Sequence, residues 1–539
     1  MDFEEDYIDS PGKKLSMSGK SLRMGLLGVL LLALINRGQV VSLIEVWKTP
    51  DLRLNTTIVE PGWRSEVIGN DLIQFPEVTF SNWGHLAFWI GLLFQGLLFL
   101  RQGQGWWVLA IISMNLLGWF DGWLQSSFWL ASRLLPHWYN VVSFLISGGI
   151  VISKRKSLSL AYLLIPIFIL ALTLRLEALE DAAYRLLDPD VGFYKLLAET
   201  SEGWYRTGIR EPLYVWWIQG IELLGGRVMA IRLASIAWSM IFIGLTVKTF
   251  KGYLSQLEVA AVAMLMAINP LLVGMSVRGL REEMYASVLM LLVYLIVYRG
   301  SKKDGWLKII AIAGLMSWAL LLRFMAVPFL VSLIIYYGLW KRVNLGKLVV
   351  IVALPVLLFM PYLRYNQEVF GKATYFSDFQ AKFQRNYEFV LVRKIDCEGC
   401  PTAAEFEKDG YSGTEVTTFE YFFRLHSPTE VVSRMTNGVI LMLGIKRRLF
   451  ADLMGSTSNW LWLIHVIGLT YTIIKKRWSL VLITLASVNT ICFLIPIGID
   501  IRVVEQALPF LLAITVASIK PLLRWTSWAC EYLLRSKLI

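Results

Sequence analysis

Apolar residues in this chain gather into continuous blocks separated by polar stretches. The blocks lie near 24–46, 84–100, 105–120, 138–152, 158–176, 229–248, 256–275, 284–299, 306–322, 324–340, 346–362, 458–474, 479–497 and 502–519. Each approaches the length, about 20 residues, that carries a helix across hydrocarbon. A barrel strand would alternate apolar and polar positions, and these blocks do not. Backbone groups that find no partner in lipid must then be satisfied within helices. The pattern predicts an all-α, polytopic transmembrane protein of about 14 spans. With 56% hydrophobic against 17% charged residues among 539, the composition excludes an ordinary soluble domain.

Charge orients these blocks. Lys154, Arg155 and Lys156; Lys248 and Lys251; Arg299, Lys302 and Lys303; Lys341, Arg342 and Lys347; and Lys475, Lys476 and Arg477 fall on alternate loops. Positive loops stay cytoplasmic, which places both termini inside and the loops 177–228, 276–284 and 363–457 outside. The net charge of +12 therefore reads as helix orientation, not as a nucleic-acid footprint. No cleavable signal peptide is evident, and a prokaryotic plasma membrane is the expected location.

The chain divides into a cytoplasmic tail (1–23), a four-span module (24–152), a membrane core (153–362), an external domain (363–457), C-terminal membrane helices (458–520) and a cytoplasmic or interfacial tail (521–539). Within the first module, an external loop near 47–83 carries the sequon triplet at 55–57, and Trp106, Trp107, Trp119 and Trp123 suit a membrane interface. The apolar stretch 438–450 reads as interfacial, because a span there would invert every later loop. Cys397 and Cys400 lie three apart on an external segment, where a small disulfide is expected and free thiols are the alternative.

The loop 177–228 concentrates side chains suited to chemistry. Asp188 and Asp190 flank Pro189, which fixes a turn, and helical periodicity resumes at once, so Asp190 sits near a helix N-terminus as a stabilised anion. Capping alone would explain such an aspartate in isolation. Arg206, Arg210 and Glu211 follow, then Pro212, Leu213, Tyr214, Trp216 and Trp217. A carboxylate that accepts a proton, beside guanidiniums for a phosphate and aromatic rings for a lipid or sugar, is what transfer from a lipid-phosphate donor requires.

The succession of Asp190 to Tyr194, a basic-Pro-Leu element at Arg210 to Leu213, and Arg232 to Ser235 resembles the GT-C glycosyltransferases, notably the protein O-mannosyltransferases and the lipid A aminoarabinose transferases. The resemblance spans about 155–520 and implies a GT-C-like core with an external loop domain. It makes Asp190 the catalytic carboxylate and Arg210 a donor-phosphate ligand, with Glu211 standing where the family has the first of two prolines. The stretch 278–298 is similar to the family's second external loop, which brings in Arg281, Glu282 and Glu283, and 364–378 is similar to the element that opens the external domain. Asp188, Tyr194, Glu282 and Glu283 are implied as supporting or acceptor-side residues. Arg206, Arg281, Arg323 and Arg502 join Arg210 as donor-phosphate ligands, although an interfacial, snorkelling role suits Arg323 somewhat better.

The implied reaction is inverting transfer of a sugar from a polyprenyl-phosphate donor to a protein, lipid or glycan acceptor. No cofactor is required; a divalent cation, if one binds, would draw on Asp188, Asp190 and Glu282. His85, His137, His426 and His465 are scattered and form no metal pattern. Membrane lipids surround the core, and 24–152 offers a surface for a membrane-protein partner. The alternatives are a transporter and a non-catalytic GT-C-like scaffold. Against a transporter stand the absence of a clear internal repeat and the concentration of charge at span ends. The departure at Glu211 keeps the scaffold open.

Overall fold

The computed structural model describes residues 53–54, 63–68, 71–76, 160–183, 189–297, 305–340, 342–395, 397–433, 436, 461–474 and 505–517. Strands β1 (Arg53–Leu54), β2 (Trp63–Ile68) and β3 (Asp71–Pro76) form an antiparallel sheet in the order β1-β3-β2, with Ile68 opposite Asp71. This sheet lies in the loop expected near 47–83 and departs from the all-α reading. Its cause is local: Gly69-Asn70 between the two longer strands is a pair that favours a two-residue hairpin connection. From residue 160 onward the described residues form helices and turns without a strand.

The helices follow the apolar blocks. In chain order they are α1 (Leu160–Ala183), α2 (Pro189–Thr200), α3 (Pro212–Leu223), α4 (Val228–Phe250), α5 (Gln256–Ile268), α6 (Pro270–Ser276) and α7 (Glu282–Val297). Then come α8 (Trp306–Leu322), α9 (Val327–Ile335), α10 (Leu345–Phe370), α11 (Tyr375–Asn386), α12 (Ala403–Lys408), α13 (Leu461–Ile474) and α14 (Glu505–Ala517). Of these, α4 and α10 are long and apolar enough to cross a membrane, while α5, α8, Val327–Leu339 and α14 are shorter apolar helices. The spans expected at 24–46, 84–100, 105–120, 138–152 and 479–497, and the stretch 438–450, lie outside the described residues. The figure of about 14 spans accordingly stays an expectation.

Two blocks differ from their expected form. The block 256–275 is broken at Asn269, whose side chain accepts hydrogen bonds from the backbone of Leu271 and Leu272 at the start of α6. Pro270 causes the break: it cannot donate to the α5 ladder and it disfavours helical backbone in the residue before it. The block expected to end at 362 continues as α10 through Phe370 and stops at Gly371, so 364–370 prolongs a helix.

These helices converge on α7, which packs against α4 and α8; α8 packs on α10, α1 on α5, and the first turn of α14 on α7. Apolar faces dominate the contacts, yet Arg175 of α1 is fully buried among them. It donates to Ser239 Oγ at 2.9 Å and to the carbonyls of Ala171 and Ala267 at 3.0 and 3.2 Å, partners that offset part of the cost of burying the cation, while its Nη2 has no hydrogen-bond partner among the described residues.

Beyond α10, residues 371–433 are held by buried polar bonds as well as by aromatic packing. Buried Glu388 receives the Tyr421 hydroxyl at 2.8 Å and faces Arg393 Nη2 at 2.7 Å and His426 Nε2 at 3.1 Å. Cys397 and Cys400 are disulfide-bonded.

Candidate functional site

Asp190 lies in the first turn of α2, directly after Pro189, so the fixed φ of proline starts the helix and the carboxylate sits at its positive end. Helix α2 packs on α3 through Tyr194 and Tyr214, both buried, whose rings meet edge to face at 5.1 Å. The intervening loop is folded back by Thr207, which donates to the Arg210 carbonyl at 2.7 Å, and by Tyr362 of α10, which donates to the Gly208 carbonyl at 3.2 Å. This return brings Arg210 Nη2 to 3.1 Å from Asp190 Oδ1.

Two further ion pairs continue from the first. Glu211 accepts from Arg281 Nη1 at 2.5 Å and from the Phe324 backbone N–H at 2.9 Å, joining the start of α3 to the turn after α8. Arg281 also donates to the Leu322 carbonyl at 3.1 Å. Glu282, at the start of α7, faces Arg323 Nη1 at 3.3 Å. The Tyr194 ring lies between the first two pairs, 5.5 Å from the Arg210 guanidinium and 5.4 Å from that of Arg281.

Backbone geometry fixes the register of this group. The Tyr214 hydroxyl donates to the carbonyl of Gly279, which has φ +73° and whose added Cβ would meet Ile231 at 3.2 Å. Glycine is therefore required just where the chain turns to present Arg281 and Glu282.

Exposure separates the three carboxylates. The side chain of Asp190 is 34% exposed, against 10% for Glu211 and 7% for Glu282, so Asp190 is the one a substrate can approach. Burial pushes the Glu211 carboxyl up, but the Arg281 guanidinium and the Phe324 N–H outweigh it and hold the group below its ordinary range. Burial drives the Tyr194 hydroxyl up to about 12, against the opposing pull of Arg281 and Arg210, so it stays protonated at neutral pH. Among the described residues, that hydroxyl and Arg210 Nε are buried without a hydrogen-bond partner.

The structure thus brings together Asp190, Tyr194, Arg210, Arg281, Glu282 and Arg323. Arg206 is exposed on the loop, outside the network. Glu283 lies on another side of α7, buried and facing Ser239, Arg175 and Glu505. Asp188 and Arg502 lie outside the described residues. Among the described residues no three His, Cys, Asp or Glu side chains gather as a metal ion would need.

Glu211, a departure from the family motif in sequence, is the partner of Arg281 in the structure, a pairing that no local sequence signal marks. Glu505 too lies outside the predicted set, although a carboxylate within the apolar run 502–519 is a signal of buried polar function.

No curated protein matches the chain. Residues 210–365 match the family model of the dolichyl-phosphate-mannose-protein mannosyltransferases, so the stretch from Arg210 to residue 365 within α10 is similar to a GT-C-type membrane glycosyltransferase domain.

Proposed function

We propose that this chain transfers a sugar from a polyprenyl-phosphate donor to an acceptor hydroxyl at the external membrane face, with inversion, and that Asp190 is the general base. The observation that carries the proposal is the accessible Asp190 carboxylate held by Arg210 at the open end of a buried ion-pair network. The acceptor hydroxyl gives its proton to Asp190 as its oxygen attacks the anomeric carbon. The bond from that carbon to the phosphate oxygen breaks, and the electron pair leaves with the lipid phosphate.

Charge balance supports this assignment. Arg210, Arg281 and Arg323 are matched one to one by Asp190, Glu211 and Glu282, so the network is neutral as it stands. A sugar-bearing lipid phosphate is a monoanion, and its loss of the sugar adds a second negative charge. Protonation of Asp190 leaves the network one positive charge in excess at that moment, so the base supplies electrostatic stabilisation to the leaving group as well. Arg210 has the most direct part in this, while Arg281 and Arg323 hold the carboxylates that shape the site.

The test is to follow label and configuration together in membranes carrying the full chain. Labelled sugar should move from a polyprenyl-phosphate hexose to the acceptor fraction with inverted anomeric configuration. Retained configuration, or movement of solute across the membrane with no glycosidic bond broken, contradicts the proposal.

A further inference from the structure

The segment after α10 brings Tyr411 within reach of the charges of the Asp190–Arg210 pair. Tyr411, on the turn after α12, is half-buried, and the charges of both Arg210 and Asp190 reach its hydroxyl, to which the Gln380 side chain also hydrogen-bonds. Its ring stacks on Phe379 at 3.9 Å and lies 5.1 Å from Phe383, two residues one helical turn apart on α11. That helix is anchored beside the site: Phe376 packs 5.3 Å from the ring of Tyr362, whose hydroxyl holds Gly208 in the Arg210 loop.

The turn is built to keep Tyr411 there. Asn386, fully buried at the end of α11, donates to the carbonyls of both Gly410 and Ser412 at 2.9 Å, and Asp409 Oδ1 receives the Tyr411 N–H at 2.9 Å. Asn386 is in turn fixed by Arg385, whose Nη2 donates to Asn386 Oδ1 at 2.8 Å and to the Gly399 carbonyl at 3.0 Å. Gly399 belongs to the loop closed by the Cys397–Cys400 disulfide, and Thr414 donates its N–H to the same carbonyl at 2.9 Å. The disulfide loop, the Arg385–Asn386 pair and the turn form one rigid support.

The geometry points to Tyr411, with Gln380, as the residues that contact the sugar of the donor. This rests on the donor reading above. A pyranose presents apolar C–H faces and a rim of hydroxyls, which an aromatic ring and a side-chain amide match. The sugar is bonded to the phosphate assigned to Arg210, and its anomeric carbon must come within reach of an oxygen deprotonated by Asp190. The space beside that pair is therefore where the ring must lie, and Tyr411 is carried toward it by α11, which packs on Tyr362 and through it on the Arg210 loop.

The experiment measures binding without turnover. The full chain in detergent is titrated with bare polyprenyl phosphate and with gluco-, manno- and galacto-hexose esters of the same lipid. Wild type should bind at least one hexose ester more tightly than the bare lipid. Tyr411→Leu should weaken that ester about tenfold, the scale of one lost polar or aromatic contact, and leave the bare lipid unchanged. Tyr411→Phe, which keeps the stacked ring, should show an intermediate loss. The inference is overturned if wild type does not discriminate, if Tyr411→Leu keeps the discrimination, or if both lipids weaken equally, which marks a purely structural role. Failure of the general-base reading would be seen separately, as turnover surviving in Asp190→Asn.

Discussion

Truncating Arg210 removes the cation that Asp190 faces at 3.1 Å and leaves the phosphate without its nearest proposed partner. Arg210→Ala is expected to raise the apparent donor constant about tenfold or more, the scale of a lost charge-assisted hydrogen bond. An unchanged constant with a normal rate rules that role out. Glu211 behaves differently because it and Arg281 are both buried, with side-chain exposures of 10% and 11%. Removing one partner of such a pair strands the other, so Glu211→Ala should cost about 3 kcal/mol of stability. The pH dependence has a fixed sign. The Glu211 carboxyl is held below its ordinary 4.5, so its contribution is complete above that pH and is lost as the pH falls through the lower folded value. Thermal midpoints of wild type should drop on acidification in that window, and the drop should be smaller in Glu211→Gln. Equal drops would show that Glu211 is not the group responsible.

At the scale of elements, the three ion pairs join α2, α3, the start of α7 and the turn after α8, so the backbone turns between helices carry the geometry. Gly279→Ala tests this: a side chain at φ +73° is strained, and its Cβ meets Ile231. The variant should lose stability and turnover together, because Arg281 and Glu282 must shift; full activity with an unchanged midpoint contradicts the dependence. Helix periodicity made most of these elements readable in advance. The block 306–322 coincides with α8, and 284–299 is offset from α7 by two residues at each end. The break at Asn269 was missed because hydropathy runs straight through Pro270, whose effect is on backbone hydrogen bonding and not on polarity. The extension of α10 through Phe370 was missed for the opposite reason: its last turns are polar, and polarity ends a membrane span without ending a helix.

For the whole molecule, the site is assembled from stretches far apart in the chain. Asp190 and Arg210 could be found together because one loop carries both, and the charge pattern predicts that loop on the same side as 276–284 and 363–457. The pairing of Glu211 with Arg281, and the placing of Tyr411 within reach of the Asp190 charge, leave no periodic trace in sequence, since each joins stretches far apart in the chain. Several members of the candidate site were thus legible as side chains, while their wiring was not. The central claim is that Asp190 accepts the acceptor proton, and the most direct measurement is turnover of Asp190→Asn against wild type at matched amounts of folded protein in the membrane. The account predicts a loss of about a thousandfold or more with donor binding retained, as for removal of a general base. Turnover within a few-fold of wild type would contradict it.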